Sequence, residues 1–318
     1  MSNQLVGIGI SQDGMSLAHF IRQKKDYVLQ HTSFAPVTTI PAMKDQINQW
    51  VKSFDLKDAV TNIVLDSSKA NLLLTEAPEV EDSELVRAMQ WQLKENPEID
   101  VDDSVIDCFS IPGQRERGRQ PMAYVVSAKK DDVKPLANIC MQSQLDLKSI
   151  DIPAMTQRNL AALLPEDEFG VAMLSFSAKQ GLLSVSRKGN LYLARDIDVG
   201  FDDLNITPAI EDESGLSLEA ASTSSDEHIL EMVVLEIQRS MDYYERYFGQ
   251  PPIQNLIIAP LPKPVPDMTD YIASQLGIKV RELNLNEVLH TQAEELVSEQ
   301  QYEYLTAIGA SLRFFQAS

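Results

Sequence analysis

The sequence predicts an α/β protein of two similar lobes, each opening on a three-stranded β-meander. Two observations predict it. The chain has 318 residues, long for one hydrophobic core and comfortable for two. Each half also starts with three β-patterned runs joined by turns: residues 4–10, 15–21 and 27–31 in the first, 169–175, 181–187 and 191–198 in the second. The two meanders share strand order but not residues, as a duplicated fold would.

Residues 4–10 (QLVGIGI) read as a strand, and Asp13-Gly14 as the turn after it, because glycine tolerates positive φ. Pro41 opens a helical pattern that places Met43, Ile47, Trp50, Val51 and Phe54 on one face. Residues 62–65 and 71–74 are strand-like. Asp82 is the expected N-cap of a helix over 83–95, with Leu85, Ala88, Met89, Trp91 or Gln92, and Leu93 on its apolar side. Pro97 stops it. Strands at 105–111 and 122–127 flank a basic loop, and a helix over 131–144 leads to a strand at 147–152. In the second half Lys188-Gly189-Asn190 makes a meander turn. Residues 196–227 carry ten acidic side chains and no Lys or Arg, so 205–226 reads as a flexible, solvated insertion. Ser224 and Glu227 have capping-box spacing for a helix over 226–248, which Gly249 and Pro251-Pro252 end. A strand at 256–259, a helix over 268–276, a strand at 279–283 and a last helix over 299–315 complete the pattern.

The net charge of −20 and pI of about 4.5 argue against nucleic acid, which needs cations to displace counterions, and against an anionic membrane surface. A basic partner segment suits this charge better. Two cysteines, Cys108 and Cys140, are too few for a disulfide scaffold and read as reduced thiols. The N-terminus has no basic region followed by an apolar core, and no stretch approaches the ~20 apolar residues that span a bilayer. The expectation is a cytoplasmic protein that meets the inner membrane only through a partner. No GxxxxGK[ST], GxSxG or HExxH is present, and His19, His31, His228 and His290 lack metal spacing. Asp100, Asp102 and Asp103 fit no calcium loop, so no metal is expected.

Four segments in order along the chain carry a resemblance. They are ELVRAMQWQLKENPEIDVDDSVIDC at 84–108, RKGNLYLARDIDVG at 187–200, EIQRSMDYYERYFG at 236–249 and YLTAIGASLRFF at 304–315. Together they resemble the PilM/MshI family of actin-like type IV pilus proteins, MshI serving mannose-sensitive haemagglutinin (MSHA) pili. The cytoplasmic domain of GspL is a more distant relative. The resemblance implies an actin/Hsp70-like architecture with a small subdomain inserted in the first lobe. Lobe I would comprise 1–66, 151–168 and 300–318, the insert 67–150, and lobe II 169–299.

Active members of this fold hold Mg-ATP between two β-hairpins and a glycine turn. The resemblance places Gly7-Ile8-Gly9-Ile10-Ser11 where the first hairpin reads Gly-x-Asp-x-Gly, so Gly9 replaces the Asp and Ser11 the Gly. At the second hairpin Ser175-Phe176-Ser177 stands in for Asp-x-Gly. At the third element Ala259-Pro260 replaces glycines, and Pro lacks an N–H. Each lost charge-assisted contact costs roughly 1.5–3 kcal/mol, so several together weaken binding by ~10³. The expectation is therefore no cofactor and no catalysis. ATP and Mg at a rebuilt site, with Asp13 or Asp66 supplying the acid, is the alternative; a sugar-kinase-like enzyme has no motif in its support.

In the family, the cytoplasmic tail of a PilN-like inner-membrane protein docks in a groove beside the insert. By that resemblance Leu85, Met89, Trp91, Leu93 and Tyr124 are candidate groove residues, each also readable as core. The basic loop Arg115, Arg117, Arg119 is a candidate contact for an acidic partner such as the assembly ATPase, or a solvated turn. The expected role is a scaffold joining the membrane platform to the pilus motor.

Overall fold

The structure, a computed structural model, describes residues 3–24, 26–94, 99–112, 121–204, 219–291 and 294–315, with the backbone alone along 219–227. The chain divides into two compact units. One is Met1–Asn159 with Leu289–Glu295 and Tyr304–Ser318; the other is Leu160–Val288 with Leu296–Glu303.

The first unit begins with β1 (Gln4–Ile10), β2 (Met15–Gln23) and β3 (Asp26–Ala35), an antiparallel meander. After α1 (Ile40–Phe54), β4 (Val60–Val64) lies parallel to β1. The insert follows: β5 (Ala70–Glu76), α2 (Asp82–Leu93), β6 (Ser104–Ser110) and β7 (Met122–Lys129), its strands forming a separate sheet in the order β5-β7-β6. The chain returns through α3 (Lys130–Gln142) to β8 (Asp146–Asp151), parallel to β4, and then α4 (Pro153–Ala161).

The second unit repeats the theme. β9 (Val171–Phe176), β10 (Gly181–Arg187) and β11 (Asn190–Ile197) make a meander, followed by α5 (Glu219–Phe248). β12 (Asn255–Ile258) lies parallel to β9, and α6 (Met268–Leu276) leads to β13 (Lys279–Glu282), parallel to β12, and α7 (Leu285–Val288). The chain then adds β14 (His290–Thr291) beside β3 and ends with α8 (Ser298–Ser311). The sheet orders, β3-β2-β1-β4-β8 and β11-β10-β9-β12-β13, are the same, with β14 extra in the first. This is the duplicated α/β architecture that the paired meanders predict.

One face of the first sheet carries the core. Met43, Ile47 and Trp50 of α1 and Leu136, Ile139 and Cys140 of α3 pack with Val6, Ile8, Met15, Leu17 and Ile63. The Trp50 indole N–H donates to Ser33 Oγ at 3.0 Å. His19 lies on this side, 2% exposed, its ring 5.6 Å from His31, which in turn stacks on Phe54 at 4.6 Å. Burial, and secondarily the neighbouring His31, holds the His19 pKa down at about 4. On the opposite face α8 crosses β1 so closely that a Cβ at Gly7 would lie 2.0 Å from the Ala307 carbonyl oxygen, and one at Gly9 2.9 Å from Thr306 Cβ. Only glycines at these alternate positions allow that approach. Ser311 Oγ donates to the Ala18 carbonyl at 3.1 Å, tying α8 to β2.

Several expectations need correction. The insert is shorter than 67–150: β8 is a strand of the main sheet, and the apolar stripe of α3 fills the same cluster as β1. Asp82 is the first residue of α2 rather than its cap; Glu81 holds the cap position without a side-chain bond. The helix ending at Phe248 starts at Glu219, so Ser224 and Glu227 lie within it rather than at its start, and 205–218 of the expected acidic insertion lie outside the described residues. The α4 helix was not expected. Its Pro153 opens it as a first-turn proline can, but Thr156, Gln157 and Asn159 are buried polar residues that hide the apolar period.

Candidate functional site

Three loops stand where active members of this fold would hold a nucleotide. The β1–β2 turn is Ser11-Gln12-Asp13-Gly14. Ser11 N–H donates to the Gly14 carbonyl at 2.9 Å, Ser11 Oγ to the same carbonyl at 3.3 Å, and Asp13 N–H to Ser11 Oγ at 3.3 Å. The serine thus closes the turn on itself, as short hydroxyl side chains do.

The β9–β10 turn, Ser177-Ala178-Lys179-Gln180, is built alike. Ser177 N–H and Oγ both reach the Gln180 carbonyl, at 2.8 and 2.9 Å, and Gln180 N–H returns to Ser177 Oγ at 3.2 Å. A following turn packs onto it: Phe201 and Asp202 donate their N–H groups to the Ser177 and Ala178 carbonyls at 2.8 and 3.0 Å, and Lys179 Nζ pairs with Asp202 at 2.8 Å. Ser175 sits within β9 opposite Leu182, a ladder residue and not a loop residue.

After β12, Ala259 N–H donates to the Leu174 carbonyl at 2.7 Å, and Ala259, Pro260 and Leu261 are buried. This exit turns inward and packs.

Asp13 is exposed on its turn. Asp66 caps a short 3₁₀ turn at Ser67–Lys69, accepting from Ser68 N–H at 3.0 Å and from Ser68 Oγ at 2.5 Å. Gly7 and Gly9 make room for α8, as above. Asp151 is a residue that sequence reasoning missed. It is 8% exposed, accepts from Arg313 at 2.6 Å and lies 3.4 Å from Asn62 Nδ2, which also donates to the Ala310 carbonyl at 3.1 Å. Ser149 Oγ donates to Asn62 Oδ1 at 2.8 Å. This network spans 251 positions, from Asn62 to Arg313, so no local spacing could have announced it. Among the described residues, no group of three or more His, Cys, Asp or Glu could hold a metal.

The insert sorts the groove candidates differently from expectation. Leu85, Met89 and Leu93 of α2 fill a core with Ile106, Ala123 and Val125, so they are interior and form no groove wall. Tyr124 is also buried, at 1% exposed, but on the opposite face of the small sheet. There it lies in register with Leu74 and Phe109, its ring 5.3 Å from Phe109. Leu72 and Val126 continue that face, and Leu72, Leu74, Phe109 and Val126 are half-exposed. The continuous run Leu72-Leu73-Leu74 concealed which side each residue takes. Trp91 is 67% exposed on the outer side of α2, with Lys94 Nζ 4.5 Å from its ring centre. Arg115, Arg117 and Arg119 lie outside the described residues.

Two shallow grooves flank the sheet-edge strands. One, of about 630 Å³, runs by Met141 and Leu147; the other, of about 540 Å³, by Phe169 and Arg281. No residue of the three turns lines either.

The family model for the type IV pilus assembly protein PilM matches residues 7–315. The chain belongs to the PilM family. Among solved structures, the PilM–PilN type IV pilus biogenesis complex matches with a TM-score of 0.73 at 17% identity, over 98% of this chain and 98% of that one. The cytoplasmic domain of EpsL, an inner-membrane component of the Vibrio cholerae type II secretion system, matches at 0.47 and 11% identity over 96% and 94%. A Bacteroides thetaiotaomicron protein with an actin-like ATPase fold matches at 0.48 and 9% over 95% and 96%. No curated protein matches the sequence. The match at 0.73 shows that this PilM-family chain shares the fold of the PilM–PilN structure. Among the described residues no helix is long and apolar enough to cross a membrane.

Proposed function

We propose that this PilM-family chain is a non-catalytic scaffold of an MSHA-like type IV pilus machine, cytoplasmic and peripheral to the inner membrane. It binds the cytoplasmic tail of a PilN-like membrane protein and links that platform to the assembly ATPase. The observation that carries the non-catalytic reading is the pair of serine-closed turns, Ser11–Gly14 and Ser177–Gln180, together with the buried proline exit at Ala259–Pro260. The residues present do not fit Mg-ATP. A phosphate cradle needs outward backbone N–H groups and an acid to order magnesium waters. Here the serines take up turn donors and acceptors, Pro260 has no N–H, and Asp66 is committed to its cap.

For the tail, the face carrying the partly exposed Leu72, Leu74, Phe109 and Val126, with Tyr124 buried beneath them, suits an apolar peptide better than the α2 residues, which are interior. Half-exposed aliphatic and aromatic side chains on adjacent strands are what a short docking segment buries.

Two measurements test this. A thermal shift with millimolar Mg-ATP is expected to leave the midpoint unchanged. Ligand at 100 times its dissociation constant would stabilise by ~2.7 kcal/mol, a rise of a few degrees, and would favour a nucleotide switch instead. Anisotropy with a labelled tail peptide is expected to show binding that Leu74→Asp weakens by about tenfold or more; equal affinity for the variant would remove this face from the reading.

A further inference from the structure

The outer face of α2 holds a second surface, independent of the tail reading. Leu85, Met89 and Leu93 turn toward the sheet. Trp91 follows Met89 by two residues, about 200° around the helix, so it points away from that core. Its 67% exposure is high for the largest side chain in the protein, whose other tryptophan is 3% exposed. Arg87, exposed, lies one turn before Trp91, and Lys94, also exposed, lies one turn after with its ammonium over the ring. Neither cation has an ion-pair partner among the described residues. In a chain of 27 basic and 47 acidic side chains, cations find carboxylates easily, so two without a carboxylate partner among the described residues, on either side of an exposed indole, make an uncommon surface.

The spacing says what would fit. Arg87 and Lys94 are seven residues apart, about 10 Å along the axis. A partner helix presents carboxylates at that distance when they too are seven apart, with an aliphatic side chain between them to lie on the indole. Glu81, Asp82 and Glu84, at the start of α2, are exposed and repel acid there. They set the register of such a helix and disfavour an anionic bilayer, which would cover both ends at once. The geometry points to the outer face of α2 as a docking site for an acidic amphipathic helix of a partner protein, with Trp91 as the apolar anchor and Arg87 and Lys94 as the charge clamps.

Tryptophan fluorescence tests this directly. Trp50 is buried and hydrogen-bonded, so solvent-accessible emission belongs to Trp91. The full chain is titrated with a designed helical peptide carrying two Glu seven apart and a Leu between them. The expected result is a blue shift and protection from iodide quenching. With the peptide labelled, Trp91→Ala should weaken binding about tenfold. The Arg87→Glu/Lys94→Glu pair should abolish it, and replacing both peptide Glu by Lys should restore it to that variant. No spectral change, or undiminished binding to Trp91→Ala, would overturn the proposal. So would a shift with phosphatidylglycerol vesicles but not with the peptide. The PilN-like tail should bind Trp91→Ala normally; if it does not, the tail occupies α2 and the separate site is refuted.

Discussion

The two sheets share one strand order yet differ in the crossover after their first parallel pair. In the second unit β12 reaches β13 through α6 alone, whereas in the first unit β4 reaches β8 through three further strands and two helices. A connection over the surface can accept such a length because the closure entropy grows only slowly with it. What was added has its own apolar core, with Leu74 and Phe109 partly exposed on one face of its sheet and Trp91 exposed on the outer side of α2. The repeated sheets form the common frame, and the unrepeated crossover adds a small sheet with a core of its own.

The frame of the first unit closes on glycines of β1, and this can be broken experimentally. The largest effect is expected at Gly7. A Cβ there meets the Ala307 carbonyl at 2.0 Å, and backbone cannot step aside as a flexible side chain can. Gly7→Ala should cost roughly 4 kcal/mol or more, read as a fall in the urea midpoint of the first unit with the second unit's transition retained.

Acid should act next, again on the first unit. His19 is neutral in the fold, its pKa held at about 4 against 6.5 when unfolded. Its contribution is therefore intact above pH 6.5 and is lost as pH falls from 6.5 toward 4, because the unfolded chain takes up the proton first. The difference is worth roughly 3 kcal/mol. His31, whose ring stacks on His19, is the titratable neighbour on the adjoining strand. His19→Phe should flatten the acid limb of a stability-versus-pH curve; an unchanged limb would assign it to other groups.

A smaller and sharper contrast lies in two ion pairs. Arg313–Asp151 in the first unit involves a carboxylate 8% exposed, while Arg281–Glu166 in the second has side chains 41% and 18% exposed. Arg313→Met strands a buried carboxylate and should cost roughly 2–3 kcal/mol. Arg281→Met should cost under about 1 kcal/mol, because solvent screens the pair. Equal losses in denaturant titrations would erase the distinction.

Much of the architecture was readable from the chain. Both meanders, the α1 stripe Met43-Ile47-Trp50 and the parallel strands stand where their periods place them, since period 2 and period 3.6 are local properties of backbone geometry. The site was read less completely. The α2 period picks Leu85, Met89 and Leu93 as one buried stripe but wrongly adds Trp91 or Gln92, both exposed, and a period does not say whether a stripe faces a core or a partner.

What the sequence determined by itself was therefore the fold class and the duplication, because these are properties of residues and their spacing. Tertiary structure alone decided three further points. Gly7 and Gly9 serve the close approach of α8. Asp151 is neutralised by Arg313 from the far end of the chain. Trp91 faces outward while its helical neighbours face in. Each depends on which surfaces meet after the chain has folded back on itself, and contacts between residues distant in sequence leave no periodic trace.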